Sequence, residues 1–231
     1  MVLTKYKFIT SKIVGNRRIV MLSDLHNVPY KHIIRMTRDA EPDVILIVGD
    51  LVDRHRKTYN RVLPFLRECV QIAPTFFSYG NHEVKFPVIS PQEFRSTGIT
   101  LLDNTWADWN GLCIGGLTPY SEFSWLDDFE KQDGYKIMMT HEPEYFWQAQ
   151  RLKDRDIDLV LAGHVHGGQI RLKDGTGLFA PEQGFFAKFV HGQYDNMIIG
   201  AGLCNSARPF IPRINNPKEV VLIELIGGKV D

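Results

Sequence analysis

Apolar residues along this chain fall into two patterns, and the difference between them predicts its elements. In the first twenty positions they alternate: Tyr6, Phe8 and Ile13 lie among Lys and Thr, and Gly15-Asn16 then punctuates what reads as a hairpin. Five later runs do not alternate. Positions 19–22, 44–48, 74–78, 136–139 and 159–162 are mostly apolar, as expected of strands covered on both faces. Between the runs the period lengthens. Residues 30–40 suit a helix closed by Glu41-Pro42, because the residue before a proline is pushed out of helical geometry. Residues 59–73 carry Val62, Phe65, Leu66, Cys69 and Ile72 at helical spacing, with Pro64 in the first turn. A further helix is expected near 91–97, strands at 99–106 and 111–117, and a helix between the last two apolar runs. Strands alternating with helices early, then mostly strands, predict a layered α/β fold with mixed sheets, in one domain over residues 1–231.

Composition adds exclusions. Lys+Arg and Asp+Glu balance at 27 each, so no global basic field gathers nucleic acid, and a nuclease is the weaker reading. Cys69, Cys113 and Cys204 are odd in number, far apart and set in apolar stretches. They read as reduced, buried residues of a cytoplasmic protein, not as a disulfide framework. No segment approaches the length of a membrane span, and the first residues lack the apolar core of a signal peptide.

The residues that follow each run carry the chemistry. The runs end in Asp24-Leu25-His26, Gly49-Asp50-Leu51-Val52-Asp53, Gly80-Asn81-His82-Glu83, His141 and Gly163-His164-Val165-His166. In α/β sheets ligands bind at the carboxyl edge of the strands. The set Asp24, His26, Asp50, Asn81, His141, His164 and His166 mixes carboxylate, amide and imidazole donors, which suits Mn, Zn or Fe better than Ca or Mg. Seven donors exceed the four of a structural zinc. With one carboxylate shared, they complete two adjacent sites with room for water, the clamp used for phosphoryl displacement.

These five blocks, in this order, resemble the calcineurin-like metallophosphoesterase superfamily. The tail, with Gly167-Gly168-Gln169-Ile170-Arg171-Leu172, Gly192-x-Tyr194, Gly200-x-Gly202 and Pro217-x-Glu219, is similar to its bacterial YaeI-like phosphodiesterase branch. The resemblance implies a four-layer α/β/β/α sandwich of two mixed sheets. It implies one metal on Asp24, His26, Asp50 and His166, and a second on Asn81, His141 and His164, bridged by Asp50. It makes His82 the catalytic residue, stabilising the transition state or protonating the leaving group, while water activated between the cations attacks phosphorus. Glu83 stands where the branch often has Asp and is expected to orient His82; Asp53 is expected to hydrogen-bond a ligand or the loop. Similar proteins often carry an N-terminal membrane-targeting segment, and none is read here.

The implied activity is hydrolysis of a small phosphodiester or phosphomonoester. A non-catalytic metal-binding scaffold of the same fold is the alternative, disfavoured because His82 and all seven ligands stand in place. Arg54-His55-Arg56-Lys57 reads first as a solvated turn and second as a cationic rim for an anion. Tyr120, Phe123, Trp125, Phe179, Phe185, Phe186 and Phe189 read first as packing and second as an apolar wall for a lipid or base. His32 and His191 read as ordinary surface or hydrogen-bonded residues.

Overall fold

A computed structural model of the protein describes residues 1–54, 58–148, 152–205 and 211–228. In chain order its strands are β1 (Val2–Val14), β2 (Asn16–Leu22), β3 (Val44–Val48), β4 (Thr75–Ser78), β5 (Thr100–Leu102), β6 (Thr105–Trp109), β7 (Leu112–Leu117), β8 (Tyr135–Thr140), β9 (Leu159–Ala162), β10 (Gly177–Ala180), β11 (Gly184–Ala187), β12 (Gly192–Tyr194), β13 (Met197–Ile199) and β14 (Glu219–Gly228). The α-helices are α1 (Lys31–Asp39), α2 (Val62–Val70), α3 (Asn81–Lys85), α4 (Pro91–Arg95) and α5 (Leu126–Phe129).

The five apolar runs all become interior strands. One sheet has the order β1-β14-β2-β3-β4-β5 and the other β12-β13-β9-β8-β7-β6; both mix parallel and antiparallel pairs. Side-chain alternation shows why these strands could not be half-polar. On β3, Val44, Leu46 and Val48 face the other sheet, while Ile45 and Ile47 face α1 and α2. On β9, Leu159 and Leu161 meet the first sheet, and Val160 and Ala162 pack outward with Leu126 and Phe129 of α5. Each fully buried Leu or Ile contributes roughly 1.5–3 kcal/mol. A run of this kind is therefore stable only with cover on both faces. The result is the expected four-layer sandwich, with an outer layer of short α- and 3₁₀-segments beyond the second sheet.

Three expectations are corrected. The chain does reverse at Gly15, but β1 and β2 are not paired with each other. β14 lies between them, parallel to β1 and antiparallel to β2. β14 buries its first five residues and needs neighbours on both edges, whereas β1 exposes Lys5, Lys7 and Lys12 and suits an edge. The strand expected at 99–106 is two strands: after β5 the chain crosses to the other sheet at Asp103-Asn104, where Asn104 turns left-handed at φ 52°. The helix expected between β8 and β9 is replaced, among the described residues, by 3₁₀ turns at Pro143–Phe146 and Leu152–Asp154. Phe146 and Leu152 are buried against the second sheet, which holds the segment flat. Asn81 and His82 open the short helix α3, separated from β4 by two residues. No helix of the described residues is long and apolar enough to cross a membrane.

Candidate metal centre

The carboxyl ends of β2, β3, β4, β8 and β9 bring seven polar side chains to one place. The backbone leaves strand geometry at once. Asp24 has φ 55°, His26 46°, Asp50 55°, His164 70° and His166 48°. Left-handed geometry costs a non-glycine residue roughly 1–2 kcal/mol. Five of the chain's positive-φ non-glycine residues among those described lie at these positions, so the turns must be held by their surroundings. The ladder of β2 and β3 continues into the turns to hold them, through Asp24 N–H to Gly49 C=O (3.1 Å) and His26 N–H to Asp50 C=O (3.0 Å).

Asp50 is the hub. Its Oδ2 lies 3.1 Å from His141 Nε2, 3.5 Å from His26 Nε2 and 3.9 Å from His82 Nε2. Its Oδ1 accepts the His82 N–H at 2.9 Å. Asp24 Oδ1 lies 3.6 Å from His166 Nε2, 3.8 Å from His26 Nε2 and 3.9 Å from His141 Nε2. His164 Nδ1 is 3.0 Å from Asn81 Oδ1. Six of the seven are buried and His166 is partly so. Ligand atoms of Asp50, His141 and His164, and of His26, Asp50 and His82, are close enough to hold an ion. Geometry alone therefore does not separate His82 from the ligands.

Electrostatics agree with a cation site. Two carboxylates are nearly inaccessible, and among the described residues histidines are the cationic side chains within ion-pair distance of them. Burial pushes the Asp24 carboxyl up, yet His166, His26 and His141 outweigh it and hold it low; His141 and His26 do the same for Asp50. Burial pushes His82 and His164 down to about 4 and His166 down to about 3, the neutral form that offers a lone pair to a metal. Against its burial, Asp50 and Asp24 raise His141 to about 10. Among the described residues, both ring nitrogens of His26 and Nε2 of His164 are buried without a hydrogen-bond partner, and Nε2 of His141 meets only the Asp50 and Asp24 carboxylates. Buried polar atoms are rarely left so. Orphaned imidazole nitrogens around two buried carboxylates fit divalent cations.

A profile of the calcineurin-like phosphoesterase family matches residues 17–168, about two thirds of the chain and all seven of these residues. This chain belongs to that family. Membership implies divalent metal ions and a hydrolase acting on phosphoester bonds. The chain is 29% identical to an uncharacterised metallophosphoesterase of Campylobacter jejuni, over 92% of this chain and 60% of the relative. It is 29% identical to phosphodiesterase YaeI of Escherichia coli, over 71% of this chain and 66% of that protein. It spans about half the length of the first curated relatives it matches. Among solved structures, the phosphoesterase YfcE of Escherichia coli aligns with 88% of this chain and 86% of its own, at 12% identity and TM-score 0.42.

The residues around the seven decide how this cluster is held. Glu83 does not orient His82. Its carboxylate accepts the backbone N–H groups of Asp50 (2.8 Å), Leu51 (2.8 Å), Val52 (2.9 Å) and Gly80 (2.8 Å), and so ties the β3 and β4 turns together. The approach is close enough to require glycine: a Cβ on Gly49 would lie 2.6 Å from Gly80 Cα, and one on Gly80 2.3 Å from Asp50 Oδ1. His82 Nδ1 instead accepts the Arg54 N–H at 3.3 Å, and its ring meets His26 edge-on at 4.6 Å. Asp53 adds a small upward pull on the pKa values of His26 and His82. His55, Arg56 and Lys57 lie outside the described residues.

Sequence reading missed three neighbours. Asn216, buried, donates from Nδ2 to the carbonyls of His166 (2.7 Å) and Gln169 (3.1 Å), and accepts from Arg171 on Oδ1 (2.6 Å). Arg213 donates to Ala201 C=O (2.6 Å) on the adjoining turn. Cys204 is buried and free, as expected of all three cysteines, but its Sγ lies 3.8 Å from His166 Nδ1. The adjacent Asn215-Asn216-Pro217 in a glycine-punctuated tail was the available signal. Phe123 and Trp125 pack on the core, as expected, but Tyr120, Phe179, Phe185, Phe186 and Phe189 are exposed, against the packing expected of them. His32 is exposed, and His191 is hydrogen-bonded to Glu219 at 2.9 Å, both as expected.

Proposed function

We propose that this chain hydrolyses phosphodiester or phosphomonoester bonds at a dinuclear metal centre. Asp24, His26, Asp50 and His166 would hold one ion; Asn81, His141, His164 and the shared Asp50 would hold the other. The observation that carries this reading is the environment of Asp50, a buried carboxylate within 3.1–3.5 Å of imidazoles from strand ends in both sheets. When bound, the two ions would supply Lewis acidity, neutralising the phosphoryl oxygens and acidifying water.

The chain's own residues do the rest. Asp24 and Asp50 supply the negative charge that attracts cations to a dry site. Glu83 and Asn216 hold the turns that carry Asp50 and His166, so the ligands need little reorganisation during reaction. His82 lies beside Asp50 without being required as a ligand. Burial keeps its ring neutral, with Nδ1 accepting from Arg54 and Nε2 directed to the cluster. A phosphate dianion placed there would raise its proton affinity. Its Nε2–H would then stabilise negative charge and reach the departing oxygen, a role worth ~10²–10⁴ in rate.

The test is hydrolysis of bis-p-nitrophenyl phosphate by protein stripped with chelator and then reloaded with Mn, Zn or Fe. Turnover that returns with metal supports the hydrolase. Full metal loading without turnover on any phosphate ester would favour the scaffold.

A further inference from the structure

The strands β10 and β11 form a separate hairpin whose side chains are set against the burial rules of the rest of the chain. Phe185 is 72% exposed, Phe186 64% and Phe179 48%. Phe179 and Phe185 are cross-strand partners with ring centroids 5.5 Å apart. Phe186 sits at φ 59°, where bulky residues are rare. Exposed rings clustered this way mark a contact surface.

This hairpin is fastened to the metal-ligand loop. Gly168, two residues after His166, packs so tightly on Gly177 that a Cβ on it would lie 2.4 Å from Gly177 Cα. Leu178 N–H donates to Ile170 C=O at 2.7 Å. In the hairpin turn, Gln183 bonds both the N–H and the C=O of Phe189, and reaches Glu144 at 3.2 Å. The aromatic hairpin is thereby held in fixed relation to His164 and His166.

Between hairpin and ligands runs a groove of about 410 Å³. Its ligand end is lined by Asp50, Arg54, His164, His166 and Gln169, and the part along the hairpin by Ile170, Leu178, Phe179, Pro181, Phe185 and Ile211. The polar lining residues Arg54 and Gln169 belong to the ligand end, and the six side chains along the hairpin have no hydrogen-bonding group. A polar group buried there would lose its water without replacement, whereas methylenes lose nothing. Across the cluster, the exposed Phe86 lies 6.3 Å from the His82 ring, so apolar surface borders the site on that side too.

We propose that the substrate is an amphiphilic phosphoester whose aliphatic chain lies along the β10–β11 wall while its phosphate occupies the Asp50, His164 and His166 end. This rests on the phosphoesterase reading above. In the reaction water forms a bond to phosphorus, one ester P–O bond breaks, and the proton lost by water balances the one gained by the departing alkoxide. A diester and water give an alcohol and a phosphomonoester.

The test uses Mn-loaded protein and p-nitrophenyl methyl, butyl and octyl phosphates below their micelle concentrations. Each buried methylene is worth up to about fourfold. We expect kcat/KM to rise at least tenfold from methyl to octyl. The double variant Phe179→Ser/Phe185→Ser should reduce the octyl-to-methyl ratio to below threefold, and the single Phe185→Ala should lower it partly. Ile9→Ser, on the exposed edge strand, should leave the ratio alone. Calorimetry with octyl phosphate against methyl phosphate needs no turnover, and we expect tenfold tighter binding of the octyl compound, lost in the double variant. A flat series in turning-over wild type, or equal binding of the two phosphates, overturns the proposal. So does a preference for thymidine 5′-p-nitrophenyl phosphate that the same variants abolish, which would make the hairpin a base-stacking platform. A flat series with Phe-dependent dimerisation would make it a contact between copies of the chain. Tight octyl phosphate binding without hydrolysis of any ester would support the groove and sink the hydrolase reading instead.

Discussion

Glu83 accepts the backbone N–H of Asp50 at 2.8 Å, and the same carboxylate takes the amides of Leu51, Val52 and Gly80. One buried side chain therefore satisfies four donors on two strand-end turns. Each buried amide left unpaired costs roughly 1–3 kcal/mol. Glu83→Ala should lower stability by at least ~3 kcal/mol in urea unfolding and reduce metal content, while Glu83→Gln, which keeps one acceptor oxygen, should lose less. A wild-type midpoint for Glu83→Ala would show that the four bonds contribute nothing net.

Asp50→Asn tests the shared carboxylate. A neutral amide is a poor bridge between two cations, so elemental analysis should show loss from both sites. Asp24→Asn should mainly empty one. Full metal content in Asp50→Asn would remove the bridging assignment.

His82→Ala should retain its metals and lose most of its kcat, with larger losses for alkyl esters than for nitrophenyl esters, because poor leaving groups depend most on protonation. Equal losses across leaving groups would reduce His82 to an electrostatic contact. Loss of a metal would make it a ligand, as its 3.9 Å distance to Asp50 allows.

Asn216 holds the carbonyl of His166 without facing the cluster. Asn216→Ala should weaken metal binding ~10–100-fold, as expected for a residue that orients a ligand. Excess metal should restore kcat, which a global folding defect would not permit. Undiminished metal affinity would confine Asn216 to packing.

Burial raises the Glu144 carboxyl from its ordinary value of 4.5 to about 7, and its Oε2 has no hydrogen-bond partner. The folded state thus holds its proton more tightly than the unfolded state. Its stabilising contribution is complete below about pH 4.5 and disappears as pH rises to 7, by up to about 3 kcal/mol. Glu144→Gln, neutral at every pH, should gain stability relative to wild type across that window. A constant difference between the two proteins from pH 4.5 to 7.5 would contradict this.

Local pattern was enough for the centre of the molecule. A run such as 44–48, apolar at every position, can only be stable with cover on both faces, and so predicts an interior strand wherever it pairs. The metal-capable residues were legible for a related reason: they occupy the few positions that immediately follow such strands. Pairing at long range was not legible. Nothing near Gly15 records that β14, two hundred residues later, takes the place beside β2; that depends on which strand has two apolar faces still uncovered. Glu83 likewise reads as a neighbour of His82 along the chain, yet its carboxylate turns to amides thirty residues away, because those donors are buried and have no other acceptor. Phe179 and Phe185 resemble core residues by composition. Their exposure follows only from how the hairpin is laid down: Ala180 and Ala187 pack into the cluster on the second sheet, Gly168 meets Gly177 at its root, and the rings are left outside.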